Sequence, residues 1–207
     1  MPLFERMLRA GSDVASARGA VLMIHGRGSS PQDILTITSH FEAADLAYLA
    51  PAAPGGTWYP QRFLVPRVAN EPFLSEALDT VEQTLAYLTS AGIPQSRTVL
   101  LGFSQGACLA LEFAARHPGR YGGVVGLSGG LIGADDELTG YTGDMAATPV
   151  FLGCSDVDFH IPVERVHHAA QVFEDLGATV TKRIYPNFGH TINMDEIEHI
   201  RAILQAL

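Results

Sequence analysis

The sequence predicts an α/β protein with a mostly parallel central sheet and helices on both of its faces. Three observations carry that expectation. Short apolar runs alternate with longer stretches of helical periodicity, the runs are nearly free of charge, and Gly or Pro bounds them. A strand covered on both faces of a parallel sheet reads as a continuous apolar run because neither face meets water. Composition agrees. The chain has 207 residues, 47% hydrophobic and 17% charged, which suits one domain over residues 1–207 with ample material for a core.

The strand-like runs are residues 20–24, 46–50, 98–101, 123–127, 150–152 and 180–185, with 7–10 as an extra edge strand. The first helical pattern opens at Ser30-Pro31-Gln32-Asp33, with Ser30 as N-cap and proline at the first helical position. The second covers residues 71–91, with Leu74, Leu78, Val81, Leu85 and Leu88 three or four apart. The others cover 105–117, stopped by Pro118-Gly119, then 163–176, ended by Gly177, and 192–207. Two segments, 51–70 and 128–148, are neither strand nor helix. Loops at the carboxyl ends of parallel strands form the ligand crevice. Their apolar residues Trp58, Phe63, Leu131 and Ile132 are therefore expected either to wall a pocket or to cap the core.

The net charge is −9, and Lys182 is the one lysine among thirteen basic residues. An acidic chain without a basic run is a poor partner for nucleic acid or an anionic membrane. No apolar run reaches membrane-span length. Two cysteines, Cys108 and Cys154, form no disulfide framework and point to a reducing compartment. Charges at Glu5, Arg6 and Arg9 argue against a signal peptide. The expected location is cytoplasmic.

The most informative stretch is Val99-Leu100-Leu101-Gly102-Phe103-Ser104-Gln105-Gly106. It reads as a strand, then Gly-x-Ser-x-Gly, then a helix. A chain that reverses this sharply leaves no room for side chains two before and two after the serine, so glycine fills both places. The hydroxyl is then exposed above the sheet at a helix N-terminus, where the dipole favours negative charge. The alternative is a purely structural strand-to-helix turn.

A serine nucleophile needs a base, and the base an orienting acid. In this architecture the chain order is Ser, Asp or Glu, then His. Of eight histidines, His190 fits, because it follows the run 180–185, sits after Gly189 and precedes the last helix. The acid must follow the run 150–152, where Asp156 and Asp158 are both available. Asp-x-Asp-x-His also resembles a metal half-site, but no third and fourth ligand is evident, so no metal is expected. Acyl transfer further needs two backbone N–H groups aimed at the developing oxyanion. One is expected from Gln105, the residue after the nucleophile. The other is expected from Arg27 in the loop His25-Gly26-Arg27-Gly28.

These residues together resemble the carboxylesterase/phospholipase family of α/β-hydrolases, which includes bacterial carboxylesterases and acyl-protein thioesterases. The resemblance covers nearly the whole chain. It rests on His25-Gly26-x-Gly28, Trp58-Tyr59, Gly102-Phe103-Ser104-Gln105-Gly106, Asp158 four residues before Pro162, and Gly189-His190. It implies a minimal α/β-hydrolase fold without a lid domain and the triad Ser104, Asp158 and His190. It also implies an oxyanion hole from Arg27 and Gln105 and a cofactor-free, cytoplasmic, often dimeric enzyme.

The expected reaction is hydrolysis of small or short-chain acyl esters through an acyl-enzyme. Thioesters and lysophospholipids are alternatives on the same site, and a ligand-binding protein on a hydrolase scaffold is the non-enzymatic one. A dienelactone-type hydrolase usually has a cysteine nucleophile, and position 104 is serine. Trp58, Phe63, Leu131, Phe159 and Phe188 are the expected substrate walls. One departure from the family is Arg27, where relatives often carry a small or apolar residue. Its side chain is expected to narrow the site or to favour an anionic substrate.

Overall fold

The computed structural model describes residues 7–207. The charged start used above against a signal peptide lies partly in residues 1–6, outside the described residues. Seven strands form one sheet in the order β1-β3-β2-β4-β5-β6-β7. They are β1 (Met7–Gly11), β2 (Ala20–Ile24), β3 (Ala47–Pro51), β4 (Thr98–Phe103), β5 (Gly123–Leu127), β6 (Pro149–Ser155) and β7 (Thr179–Tyr185). β1 pairs antiparallel with β3, and every other pairing is parallel.

Five α-helices cover the sheet: α1 (Pro31–Leu35), α2 (Phe73–Ser90), α3 (Gln105–Arg116), α4 (Val163–Asp175) and α5 (Met194–Gln205). The two-residue period of a strand decides which helices each strand residue meets. Leu22, Ile24, Leu100, Val124 and Leu152 share a buried cluster with the apolar stripes of α2, α3 and α4. Their neighbours Val21, Met23, Val99, Leu101, Val125 and Phe151 pack on the other face with Ile34 of α1 and Ile197, Ile200 and Leu204 of α5. Both faces are thus covered, as the unbroken apolar runs require.

Two elements depart from expectation. The first helix is a single α-helical turn that continues as a 3₁₀ segment, Thr36–His40. Its start does follow the expected cap, for Ser30 Oγ accepts the N–H of Asp33. β7 is half-exposed rather than buried on both faces, because it is the far edge and pairs with β6 alone. Lys182 and Arg183 on that strand keep the edge polar. No helix among the described residues is long and apolar enough to cross a membrane.

α5 is anchored by a reciprocal cap. Asn193 Oδ1 accepts the N–H of Glu196 at 2.9 Å, and Glu196 Oε2 accepts the N–H of Asn193 at 2.8 Å. The Glu196 carboxyl is buried against Gly153 of β6, where any Cβ would overlap Glu196 Oε1. Burial pushes its pKa from 4.5 up to about 7, with the N–H of Asn193 opposing. Between those values the folded chain keeps a proton that the unfolded chain has lost. The group therefore contributes stability that is complete below about 4.5 and lost as pH rises through about 7. Glu196→Gln keeps the cap acceptor and removes the titration. In urea melts the variant should gain about 1–3 kcal/mol over the wild type on going from pH 5 to pH 8. An equal difference at both pH values would contradict a buried, titrating Glu196.

Candidate active site

β4 runs into α3 through Ser104, whose backbone takes φ 56° and ψ −119°. This is a sparsely populated conformation for any residue with a side chain. The turn exists because its neighbours are glycines. A Cβ on Gly102 would overlap the carbonyl of Gly106, and one on Gly106 would overlap the carbonyls of Ile24 and His25. Ser104 is fixed at both ends of its own backbone. Its N–H donates to Leu127 O at 2.9 Å, and its carbonyl accepts from Cys108 N–H at 3.0 Å. The hydroxyl stands at the N-terminus of α3.

Ser104 Oγ lies 2.9 Å from His190 Nε2, and His190 Nδ1 lies 2.6 Å from Asp158 Oδ2. An ionised carboxylate only accepts, so Nδ1 carries a proton. In the neutral imidazole Nε2 is then the acceptor for the Ser104 hydroxyl. Asp158 is buried and held by more than the histidine. Its Oδ1 accepts the N–H groups of His160 at 2.9 Å and Ile161 at 3.1 Å, and the Cys154 thiol approaches Oδ2 at 3.8 Å. Burial pushes this carboxyl up, but the hydrogen bonds from His190 and the two N–H groups outweigh it and hold the pKa below the usual carboxylate range.

Asp156 is exposed and does something else. Its Oδ1 accepts Asn187 N–H at 2.8 Å, while Ser155 Oγ accepts the N–H groups of Phe188 and Gly189. The loop after β6 is thereby fastened to the loop carrying His190. It turns at Asp156-Val157, and that turn lies between the exposed carboxylate and the buried one.

The loop after β2 reaches the same place. A Cβ on Gly26 would touch the Ser104 Cβ at 3.4 Å. His25 is buried, and its Nε2 accepts Ala53 N–H at 3.1 Å, so Nδ1 is the donor to Gly26 O at 2.8 Å. Ser29 N–H donates to the same carbonyl. The N–H and C=O of a trans peptide point in opposite directions. The Arg27 N–H therefore points away from His25, and it has no protein acceptor among the described residues. Gln105 opens α3, so its N–H is one of the four that a helix leaves without an intrahelical partner. Burial lowers the His25 pKa, with the Gly26 carbonyl and the nearby Asp33 opposing, which favours the neutral ring this geometry needs.

The opposite wall is the segment from Trp58 to Arg62, and side chains satisfy its backbone. Gln105 Oε1 accepts Trp58 N–H and Gln105 Nε2 donates to Tyr59 O. The Arg27 guanidinium donates to the carbonyls of Tyr59, Pro60 and Gln61 at 2.9, 2.9 and 2.6 Å. Asn70 Oδ1 accepts Gln61 N–H, and its amide donates to Arg62 O. Irregular backbone near a core is stable only when its polar groups are paired in this way.

The cleft above Ser104 measures about 320 Å³. Of the five expected walls, Phe63 lines it. The others are corrected. Trp58 is buried behind the wall, with Nε1 donating to His25 O at 2.8 Å. Leu131 is fully buried in the core beside α4, and its carbonyl accepts from Arg165. Phe159 and Phe188 are exposed outside the cleft, Phe159 in tilted contact with the His160 ring and Phe188 tilted against Tyr185. Tyr59, Arg62, Phe103, His160 and Ile161 take up lining positions that sequence reasoning did not assign. Ile161 follows the acid by three residues, and that spacing was the one available signal.

A serine on a strained elbow, a histidine on its hydroxyl and a buried carboxylate behind the histidine, on this sheet, define a serine hydrolase of the α/β-hydrolase class. The comparisons narrow the class. The family model for phospholipase/carboxylesterase matches residues 11–207. Acyl-protein thioesterase 1 of Saccharomyces cerevisiae is 25% identical, over 96% of each chain. A probable carboxylesterase of Oryza sativa is 26% identical over 92% of this chain and 89% of the relative. The crystal structure of a phospholipase/carboxylesterase from Dyadobacter fermentans superposes with a TM-score of 0.93 at 38% identity, covering 97% of this chain and 96% of the other. The chain belongs to the phospholipase/carboxylesterase family and is an ester hydrolase.

Cys108 lines the cleft floor, and Cys154 lies beneath Asp158. Both thiols are free and buried, and burial pushes each up to about 12. A thiolate is the reactive species, so both should be inert at pH 8. A disulfide reagent such as DTNB should titrate neither thiol in the folded protein and both in denaturant. Fast reaction of one thiol in the folded state would show that its burial is breached.

Proposed function

We propose that Ser104, His190 and Asp158 hydrolyse small carboxylic esters through an acyl-enzyme, with the N–H groups of Arg27 and Gln105 as the oxyanion hole. The continuous hydrogen-bonded line Ser104–His190–Asp158 carries this reading. Ser104 Oγ attacks the ester carbonyl carbon while its proton passes to His190 Nε2. The resulting oxyanion sits at the N–H groups of Arg27 and Gln105, reinforced by the positive end of α3. When the tetrahedral adduct collapses, the bond to the alcohol oxygen breaks and His190 returns the proton to the leaving alcohol. Water, deprotonated by the same nitrogen, then attacks the acyl carbon and releases the acid and free Ser104. Asp158 keeps Nδ1 protonated and stabilises the imidazolium without taking its proton.

A cytoplasmic location is part of the reading, and the two unpaired thiols are in keeping with a reducing compartment. So are a single domain and a homodimer, the latter from the family resemblance.

Ser104→Ala should lower kcat by roughly 10⁴- to 10⁶-fold without unfolding. Asp158→Asn should cost roughly 10⁴-fold. Asp156→Asn should cost far less, because Asp156 only fastens a loop. Esterase assays on the three folded variants check the ranking. Near-normal activity in Ser104→Ala, or a larger loss at Asp156 than at Asp158, would overturn the assignment.

Acyl length is limited by the size of the cleft and by the fixed loops around it. The 51–70 loop is wired by Gln105, Arg27 and Asn70. The 128–148 loop is tied down by buried Arg165, donating to Leu131 O and Gly133 O, and by Glu112, accepting Ile132 N–H. Each buried methylene adds about 0.8 kcal/mol, about fourfold in kcat/KM, until the cleft is full. On p-nitrophenyl esters of rising acyl length, kcat/KM should peak at short chains and fall away. A steady rise through palmitate would require an acyl channel this cleft lacks.

A further inference from the structure

The chain carries a net charge of −9, yet its cleft is lined by two arginines and no carboxylate. Arg18, Arg67, Arg116, Arg165 and Arg201 are ion-paired with Asp or Glu. Arg9, Arg97, Arg120 and Arg183 have no such ion pair among the described residues, and neither do Arg27 and Arg62, the two arginines that line the cleft. Arg27 donates only to the three carbonyls of Tyr59, Pro60 and Gln61. Arg62 reaches across the cleft to His160 O at 3.3 Å. A carbonyl orients a guanidinium without cancelling its charge, whereas a carboxylate cancels it. Arg27 is thus a fixed, uncompensated cation, fastened to the same segment that carries the second one. Five N–H donors per guanidinium leave each with donors to spare.

We infer that the site is built for esters that themselves carry a carboxylate, held at the cleft wall by Arg62 and Arg27 while the ester carbonyl lies at Ser104. This rests on the esterase reading above and names the substrate class for it. A planar carboxylate matches the guanidinium fork, and two cations on one wall attract the same anion. The small volume requires the anionic group to lie close to the scissile bond.

Two pairs of esters matched in shape test this: 4-acetoxybenzoate against 4-acetoxybenzamide, and monoethyl glutarate against ethyl pentanoate. In the wild type, kcat/KM should favour the anionic member of at least one pair by about tenfold or more. The ratio should shrink as sodium chloride rises from about 20 to about 500 mM. It should fall close to one in Arg62→Gln and be partly restored in Arg62→Lys. A ratio at or below one in both pairs, or one unchanged in Arg62→Gln, overturns the inference.

Binding separates this from the esterase reading. Calorimetry on Ser104→Ala should show 4-hydroxybenzoate bound about tenfold more tightly than 4-hydroxybenzamide, with the gap lost when Arg62→Gln is added. If no ester is hydrolysed but this gap is found, the esterase reading fails and the anion site stands. Hydrolysis of the neutral esters that depends on Ser104, with no gap in binding or rate, has the opposite meaning.

Discussion

The approach of Gly106 to the end of β2 is the constraint from which the rest of the site follows. At this contact the first turn of α3 sits directly on the carbonyls of Ile24 and His25, with no space for a methyl group. It forces the reversal at Ser104, whose positive φ costs of order 1–3 kcal/mol and is held by Leu127 O and Cys108 N–H. It also brings the loop after β2 against the elbow, with Gly26 in contact with Ser104. Two separate strand ends therefore become one packed unit. The loop that carries Arg27 and the first turn of α3, which opens at Gln105, are thereby held against one another, as the proposed pair of oxyanion donors requires.

Around that unit, polar side chains do structural work with chemical consequences. Gln105 opens α3 with a backbone N–H that has no intrahelical partner and braces Trp58 and Tyr59 with its amide. Arg27 does the same, with its backbone at the elbow and its guanidinium on three carbonyls of the facing wall. The facing wall and the two strand-end loops beside Ser104 are thus mechanically one piece. The family resemblance left open whether the Arg27 side chain narrows the site or attracts an anion. Its geometry joins the two, since the guanidinium that fixes the wall is also an uncompensated charge beside the cleft.

The parts of the site that were legible in the sequence are local in the chain. The elbow can be read because steric exclusion acts over five residues, Gly102 to Gly106, and glycine is the residue that fits both ends. The strands can be read because burial on both faces leaves an unbroken apolar run, and observed ends lie within three residues of the expected ones, with β2 and β5 matching at both ends. β7 is the exception, because Lys182 and Arg183 interrupt its run, and such charge is the mark of an edge strand rather than a central one. The cleft walls were the least legible. Trp58 and Leu131 are apolar loop residues of the kind that line a pocket, and position alone does not say which way they face. Their partners, His25 O for one and the core beside α4 for the other, lie tens of residues away. Ser155, Asn70 and Arg62 act through backbone groups distant in sequence, and nothing in their local sequence marks them.

Asp156 and Asp158 show why burial decides a role that residue type leaves undecided. An exposed carboxylate such as Asp156 stays in contact with water and can serve as a loop fastener at little energetic cost. A buried one is driven toward protonation unless donors surround it. Asp158 has three N–H donors, and they outweigh its burial. Two of them, His160 and Ile161, belong to the turn just after it, so the acid's own loop supplies part of what opposes its burial and His190 supplies the rest. By linkage, a lowered pKa of this kind contributes stability above the ordinary carboxylate value that is lost as pH falls through the folded one. The interaction that fixes the His190 tautomer therefore also holds the loop that carries the acid, and catalytic geometry and local stability share the same three hydrogen bonds.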